Sequence, residues 1–150
     1  MQAHTAIPRR ILAVGSDRAS GQVIEHATQA WMFETRVCSS LREAENLLAK
    51  QEFALIFCED RFEGGTYREL LSVVRGSYKV PVVVMISDVE EESAFREAME
   101  LGAFGVLASP CSTKDVQWMV IRAAQQGTNS SKSALSSRSA YAPDGLQGSK

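Results

Sequence analysis

Short apolar runs alternate with stretches of helical spacing along most of this chain. The runs, each bounded by turn-forming residues, span 11–14, 35–38, 54–58, 82–86 and 105–108. Between them, apolar residues recur every three or four positions, which is typical of amphipathic helices. The middle runs are apolar throughout, as strands buried on both faces are. The pattern therefore predicts an α/β fold in which helices cover both faces of a five-stranded parallel sheet.

Composition divides the chain into one domain and two ends. A length of 150 residues suffices for a single domain with its own core. We expect residues 1–8 to be a flexible N-terminus and residues 9–126 to form the domain. Residues 127–150 are rich in serine and glycine, with Leu135, Tyr141 and Leu146 as isolated large apolar side chains. Such a segment buries too little surface to offset its ordering entropy, so we predict a disordered tail.

Charge and hydropathy exclude several classes of protein. Sixteen Lys and Arg residues against eighteen Asp and Glu residues give a net charge of -2, which argues against nucleic-acid binding. No apolar stretch approaches the roughly 18 residues of a membrane span, and the N-terminus has no signal-peptide core, so we expect a cytoplasmic protein. Cys38, Cys58 and Cys111 have no metal-binding or disulfide spacing, so we expect reduced, buried thiols and no metal site.

Ligands of parallel sheets bind at the carboxyl ends of the strands, so the residues there are candidate site residues. The residues at these ends are Gly15, Ser16 and Asp17 after the first run, Glu59 and Asp60 after the third, Ser87 after the fourth, and Ser109 after the fifth. The first of these turns, GSDRASG, contains two glycines but matches neither GxGxxG nor GxxxxGK. We therefore interpret it as a helix start capped by Asp17 or Ser20, not as a phosphate-binding loop.

Three stretches in this order resemble the receiver domain of bacterial two-component response regulators. They are ILAV before the first turn, VPVVVMIS, and AMELGAFGVLASP. The resemblance covers residues 9–126 and implies a flavodoxin-like doubly wound sheet with strand order 2-1-3-4-5. In that family a histidine kinase phosphorylates an aspartate after the third strand. Two acids after the first strand hold Mg²⁺, and a Thr or Ser and a Lys complete the pocket.

The resemblance fails at the pocket itself. The two acid positions fall on Gly15 and Ser16, the phosphoacceptor on Glu59, and the lysine on Ser109. Ser87 alone matches the family, at its Thr/Ser position. The Mg²⁺ site is lost unless the Asp17 side chain turns into the pocket, so we expect no cofactor. We expect Glu59 to be a solvated carboxylate, with imitation of a phosphorylated aspartate as the alternative.

These substitutions favour an atypical receiver, or pseudo-receiver, that signals by binding a protein and has no enzymatic activity. Its partner would be a histidine kinase, an output protein or a second copy of the chain. One alternative is an active receiver that is phosphorylated on Glu59 or Asp60. Asp60 is the weaker candidate, because consecutive strand residues face opposite sides and Asp60 should face solvent. Another alternative is a flavodoxin-like binder of a nucleotide or other small ligand.

The last helix carries the candidate interaction surface. Val116, Met119, Val120 and Ala123 recur at helical spacing and should face the sheet. Trp118, Ile121 and Arg122 then point away from it. The resemblance adds Val106 on the fifth strand, at the position of the family's switch aromatic. We predict an interface at these residues; the alternative is that Trp118 lies flat over a neighbouring helix.

Overall fold

The computed structural model describes residues 8–87 and 92–128. In these residues five long strands alternate with five helices, and a short hairpin follows the third strand. The elements are β1 (Arg10–Val14), α1 (Arg18–Gln29), β2 (Glu34–Cys38), α2 (Leu41–Lys50), β3 (Leu55–Glu59), β4 (Arg61–Phe62), β5 (Gly65–Thr66), α3 (Tyr67–Ser77), β6 (Val82–Ile86), α4 (Glu92–Glu100), β7 (Gly105–Ala108) and α5 (Thr113–Thr128).

The main sheet has the order β2-β1-β3-β6-β7, and every pair of neighbours in it is parallel. Without the hairpin strands β4 and β5, this is the predicted order 2-1-3-4-5. The central strands β1, β3 and β6 are buried along almost their whole length, which agrees with their apolar sequences. The predicted doubly wound α/β fold is confirmed.

The core has one layer on each face of the sheet. Helices α2, α3 and α4 cover one face, where Leu70 and Val84 are fully buried. Helices α1 and α5 cover the other face, and Ile24, Phe57 and Met119 fill the space between them and the strands. The loops that connect strands and helices therefore lie at the carboxyl and amino edges of the sheet.

Some boundaries differ from the predicted ones. The segment after Glu59, where the sequence shows no apolar run, forms the β4–β5 hairpin. Its turn residue Glu63 bonds to the start of α2 through Ser39 and Leu41. Helix α5 ends at Thr128, so it includes two residues of the predicted tail. The other residues of that tail, 129–150, and residues 1–7 of the predicted flexible N-terminus lie outside the described residues.

All three cysteines are free and buried, as expected. Burial raises the pKa of the Cys38 thiol to about 12, so this thiol is protonated near neutral pH. Within residues 8–87 and 92–128, no helix is long and apolar enough to cross a membrane.

Candidate functional site

The sheet brings the predicted pocket positions to one edge. Glu59 ends β3 next to Met85 of β6, and Val14 of β1 pairs with Cys58. Ser87 and Ser109 follow the paired ends of β6 and β7, and the amide of Ser109 donates to the carbonyl of Ile86 at 2.9 Å. The carboxyl ends of four parallel strands therefore hold all of these positions, as their places in the sequence predicted.

Glu59 binds the loop after β1. Its Oε1 accepts a hydrogen bond from the Ser16 amide at 3.2 Å, and its Oε2 accepts one from the Asp17 amide at 3.0 Å. These amides immediately precede α1, at the end of the helix where its dipole favours a negative charge. Glu59 is half-buried and its carboxylate is bound to two amides, so it is solvated only in part.

Gly15 provides the space that this contact needs. A Cβ atom built on Gly15 would lie 2.5 Å from Oε2 and 2.6 Å from Cγ of Glu59, and closer still to its carboxyl carbon. Real Cβ atoms do not approach other heavy atoms so closely, so a side chain at position 15 would displace Glu59. Glycine is needed here for space, since its backbone is not among those with positive φ. The two residues are 44 positions apart in the sequence but are interdependent in the fold.

The pKa of Glu59 is raised above its ordinary value of 4.5. Burial is the main cause, and the neighbouring carboxylates of Asp17 and Asp60 add to it. The two amide hydrogen bonds act in the opposite direction, because they stabilise the ionised form. The carboxyl group is therefore held by specific bonds but is harder to ionise than a free glutamate.

Asp17 is the N-cap of α1. Its Oδ1 accepts a hydrogen bond from the Ala19 amide at 3.1 Å, and its Oδ2 accepts one from the Ser20 hydroxyl at 3.1 Å. Of the two predicted capping residues, Asp17 holds the position. The possibility that Asp17 turns into the pocket as a metal ligand is therefore not realised in this structure.

The residues at this edge do not fit the Mg²⁺ ion that the resemblance implies. Both oxygens of Glu59 bind amides, both oxygens of Asp17 cap the helix, and positions 15 and 16 carry no carboxylate. Mg²⁺ prefers several oxygen ligands in near-octahedral geometry. Among the described residues, no group of three or more His, Cys, Asp or Glu side chains is placed to hold a metal ion.

The remaining pocket residues differ in their exposure to solvent. Ser87 is exposed, whereas Ser109 and Asp60 are half-buried, so Asp60 does not project fully into solvent. A cavity of about 10 Å³ lies beneath Glu59 and Gly15. That is about the space of one water molecule and far below the roughly 300 Å³ of small ligand pockets.

The outer face of α5 matches the prediction in part. Val116, Met119 and Val120 are buried against the sheet, whereas Trp118 and Ile121 keep 58% and 41% of their surface exposed. Trp118 therefore has more than half of its surface open to solvent. The guanidinium group of Arg122 lies 5.3 Å from the ring centre of Phe104.

Val106 is a correction to the predicted interface. Only 6% of its surface is exposed, and it belongs to the core layer beneath α2, α3 and α4. Alternation along β7 turns Val106 inward, so this residue cannot contact a partner directly.

One polar cluster was missed by the sequence reasoning. Glu97 on α4 accepts two hydrogen bonds from the Arg68 guanidinium at 2.7 and 2.8 Å and one from the Tyr67 hydroxyl at 2.9 Å. Hydrogen bonding to Arg68 is the main reason that the pKa of Glu97 falls to about 2. The cluster joins α3 to α4, and nothing in the spacing of residues 67, 68 and 97 predicts it.

The comparisons with known proteins identify the fold. No protein-family model matches the sequence, and no curated protein matches it. Solved structures do match. Chemotaxis response regulator CheY4 of Vibrio cholerae is 21% identical, with a TM-score of 0.69 over 79% of this chain and 99% of its own.

Two further structures agree with that match. The receiver domain of an HD domain-containing protein from Pseudomonas fluorescens is 16% identical, with a TM-score of 0.75 over 88% of this chain and 98% of its own. The beryllofluoride-activated NtrC4 receiver domain dimer is 18% identical, with a TM-score of 0.72 over 79% of this chain and 98% of its own. The chain therefore has the fold of a response-regulator receiver domain.

Proposed function

We propose that this chain is a signalling module of the receiver type that acts through protein contacts and is not phosphorylated. The observation that carries the proposal is the pair of hydrogen bonds from the Ser16 and Asp17 amides to Glu59. They engage both oxygens of the side chain at the phosphoacceptor position. Among the described residues, these two amides are the hydrogen-bond partners of that carboxylate.

Phosphoryl transfer to a carboxylate brings like charges together, so it needs nearby cations to neutralise them. The acid positions that would hold a metal ion carry Gly15 and Ser16, and the lysine position carries Ser109. A glutamate acceptor is also one methylene longer than aspartate, which disturbs in-line geometry. These features support a protein that has no enzymatic activity and whose pocket carboxylate is not phosphorylated.

Glu59 then acts as a structural tie and not as an imitation of a phosphoryl group. Its carboxylate binds the loop between β1 and α1, whereas a mimic would be expected to engage Ser87. A single carboxylate carries a charge of about -1, less than the -1.5 to -2 of a phosphorylated side chain. These two hydrogen bonds join the end of β3 to the start of α1 and stabilise this edge of the sheet.

The outer face of α5 is the surface that we propose for protein contacts. Trp118 projects there with 58% of its surface exposed, and Arg122 lies about one helical turn further along α5. Exposed tryptophan is enriched at interaction sites, because it offers a large apolar surface with little side-chain entropy to lose. The partner is a second copy of this chain or another signalling protein.

Incubation with acetyl phosphate and Mg²⁺, followed by intact-mass measurement, tests the proposal. We expect no mass increase of one phosphoryl group in the native protein. The same treatment of Glu59→Gln and Asp60→Asn serves as the control. An adduct that disappears in either variant would identify an active phosphoacceptor and overturn the proposal.

A further inference from the structure

An apolar groove opens at the amino edge of the sheet, opposite to Glu59. Its volume is about 250 Å³, and its lining is apolar apart from Arg9. The floor and walls include Ile11, Leu55, Trp31, Phe33, Ile121 and Ala124. The groove thus lies between the start of β1 and β3, the loop before β2, and the last turns of α5.

The loop from α1 to β2 presents the aromatic wall in a fixed conformation. Met32 stands between Trp31 and Phe33 with a φ of 67° and 78% of its surface exposed. A positive φ is unfavourable for a residue other than glycine, so the surrounding bonds must hold it. The amides of Trp31 and Phe33 both donate to the carbonyl of Thr28, at 3.0 and 3.4 Å.

Arg9 supports the same wall. Its Nη1 donates to the carbonyl of Trp31 at 2.9 Å, and its guanidinium group lies 5.3 Å from the ring centre of Phe33. The aromatic wall of the groove is therefore pre-formed without a bound segment. Pre-formed apolar sites bind without a large ordering cost of their own.

The chain itself continues from one wall of this groove. Helix α5 ends at Thr128, four residues beyond Ala124, and residues 129–150 follow. The sequence after the helix is NSSKSAL, in which Asn and Ser favour a turn. Leu135 is the first large apolar residue after α5.

The length of this segment matches the distance to be covered. Along α5 the axial distance from Thr128 back to Ile121 is about 10 Å, at about 1.5 Å per residue. After a turn of roughly four residues, the remaining three span about 10 Å in an extended conformation. Leu135 can therefore return to the groove, whereas Tyr141 and Leu146 would close longer loops.

We propose that the segment around Leu135 folds back along α5 and places the Leu135 side chain in the groove. Composition predicts that this tail does not fold by itself, and the groove supplies the apolar surface that it lacks. The contact is intramolecular, so the effective concentration of the tail is high and a weak contact suffices. The proposal is independent of the pocket, because the groove lies at the opposite edge of the sheet.

NMR spectra of the full-length Leu135→Ser variant test this proposal. The Trp31 indole and Ile121 methyl signals should shift relative to the native protein, whereas Leu146→Ser, the matched control, should leave them unchanged. A spin label on Ser136→Cys should broaden both groove signals, and the shift should persist on dilution. The native cysteines are buried, so the label should attach to the new one.

Three results would overturn the proposal. The groove signals of Leu135→Ser could match those of the native protein, which would exclude Leu135 as the occupant. They could change with protein concentration, which would assign the groove to a second copy. They could respond to Ile7→Ser instead, which would assign it to the N-terminal segment.

Discussion

The side chain of Glu59 fills the space that any side chain at position 15 would require, because a Cβ on Gly15 would lie 2.5 Å from Oε2. The two departures from the family pattern are therefore one structural change. In its present position the longer acid at position 59 binds the Ser16 and Asp17 amides across space that a Cβ at position 15 would occupy. We infer that the Glu59 carboxylate itself closes the pocket. The pocket has therefore gained an internal contact in addition to lacking the acids that would hold a metal ion.

A double-mutant cycle measures this interdependence. Gly15→Ala should expel the Glu59 carboxylate from its two amides and lower the free energy of unfolding by about 1–2 kcal/mol, as loss of partly exposed charged hydrogen bonds does. In the Glu59→Ala background the same substitution should cost much less, because nothing then occupies the space. Urea denaturation of the four proteins gives the coupling energy.

Gly76→Ala is the matched control for that cycle. Gly76 lies in α3, and a Cβ on it would meet nothing within 4 Å. Alanine should therefore stabilise the protein by roughly 0.5–1 kcal/mol through helix propensity, equally with and without Glu59. An equal cost of Gly15→Ala in both backgrounds would contradict the proposed contact.

The raised pKa of Glu59 predicts a pH dependence that NMR can follow. The Ser16 and Asp17 amide signals should titrate together with a midpoint above 4.5. The Thr66 amide, bound to Glu69, should titrate below 4.5, because hydrogen bonds from Thr66 lower the pKa of that carboxyl. If the Ser16 midpoint lay at or below that of Thr66, burial would not dominate at Glu59.

The same shift fixes the sign of the effect on stability. Because the pKa of Glu59 is higher in the folded chain, the folded state binds its proton more tightly than the unfolded state. The part of the stability that depends on protonation of Glu59 is therefore complete below its ordinary pKa of 4.5 and is lost as the pH rises through the raised value. The free energies of unfolding of the native protein and of Glu59→Gln should diverge in this pH window and differ by a constant amount above it.

Restoring the phosphoacceptor alone should not restore phosphorylation. Glu59→Asp shortens the side chain but leaves positions 15, 16 and 109 without a metal ligand or an ammonium group. Only the combination with Gly15→Asp, Ser16→Asp and Ser109→Lys should accept a phosphoryl group from acetyl phosphate. Labelling of the single variant, measured by intact mass, would show that the acid positions matter less than proposed.

The proposed interface predicts a change in association without a change in fold. If a second copy is the partner, Trp118→Ala should lower the mass measured by light scattering at a fixed concentration. Its circular dichroism should stay native, because Trp118 is 58% exposed. Val37→Ala, at a β2 residue that is 55% exposed, controls for the loss of any exposed apolar side chain. A native protein that stays monomeric at every concentration would exclude the second copy.

Local sequence patterns were sufficient for most of the fold. The run 82–86 coincides with β6, and the predicted ends of the strands before it lie within one residue of those observed. The β4–β5 hairpin was missed, because strands of two residues carry no periodic signal and this one is anchored to α2 through Glu63. Val106 was assigned to a surface by resemblance, although strand alternation places it in the core.

The site was harder to predict, because its key contact joins distant positions. The sequence indicates that Gly15 and Glu59 each depart from the receiver pattern, but it does not indicate that they are in contact. Since residues 15 and 59 belong to different elements, only the pairing of β1 with β3 brings them together. For the same reason the cluster of Tyr67, Arg68 and Glu97 could not be foreseen.

An NMR titration of the native protein with Mg²⁺, followed by beryllofluoride, shows whether the Glu59 pocket is closed. Beryllofluoride needs a carboxylate and a metal ion in an open pocket, and both oxygens of Glu59 are bound to amides. We predict that the amide signals of Ser16, Asp17, Ser87 and Ser109 show no saturable shift at any concentration of either reagent. Saturable shifts at these amides would contradict the account, because they would show that the pocket opens and binds the phosphoryl analogue.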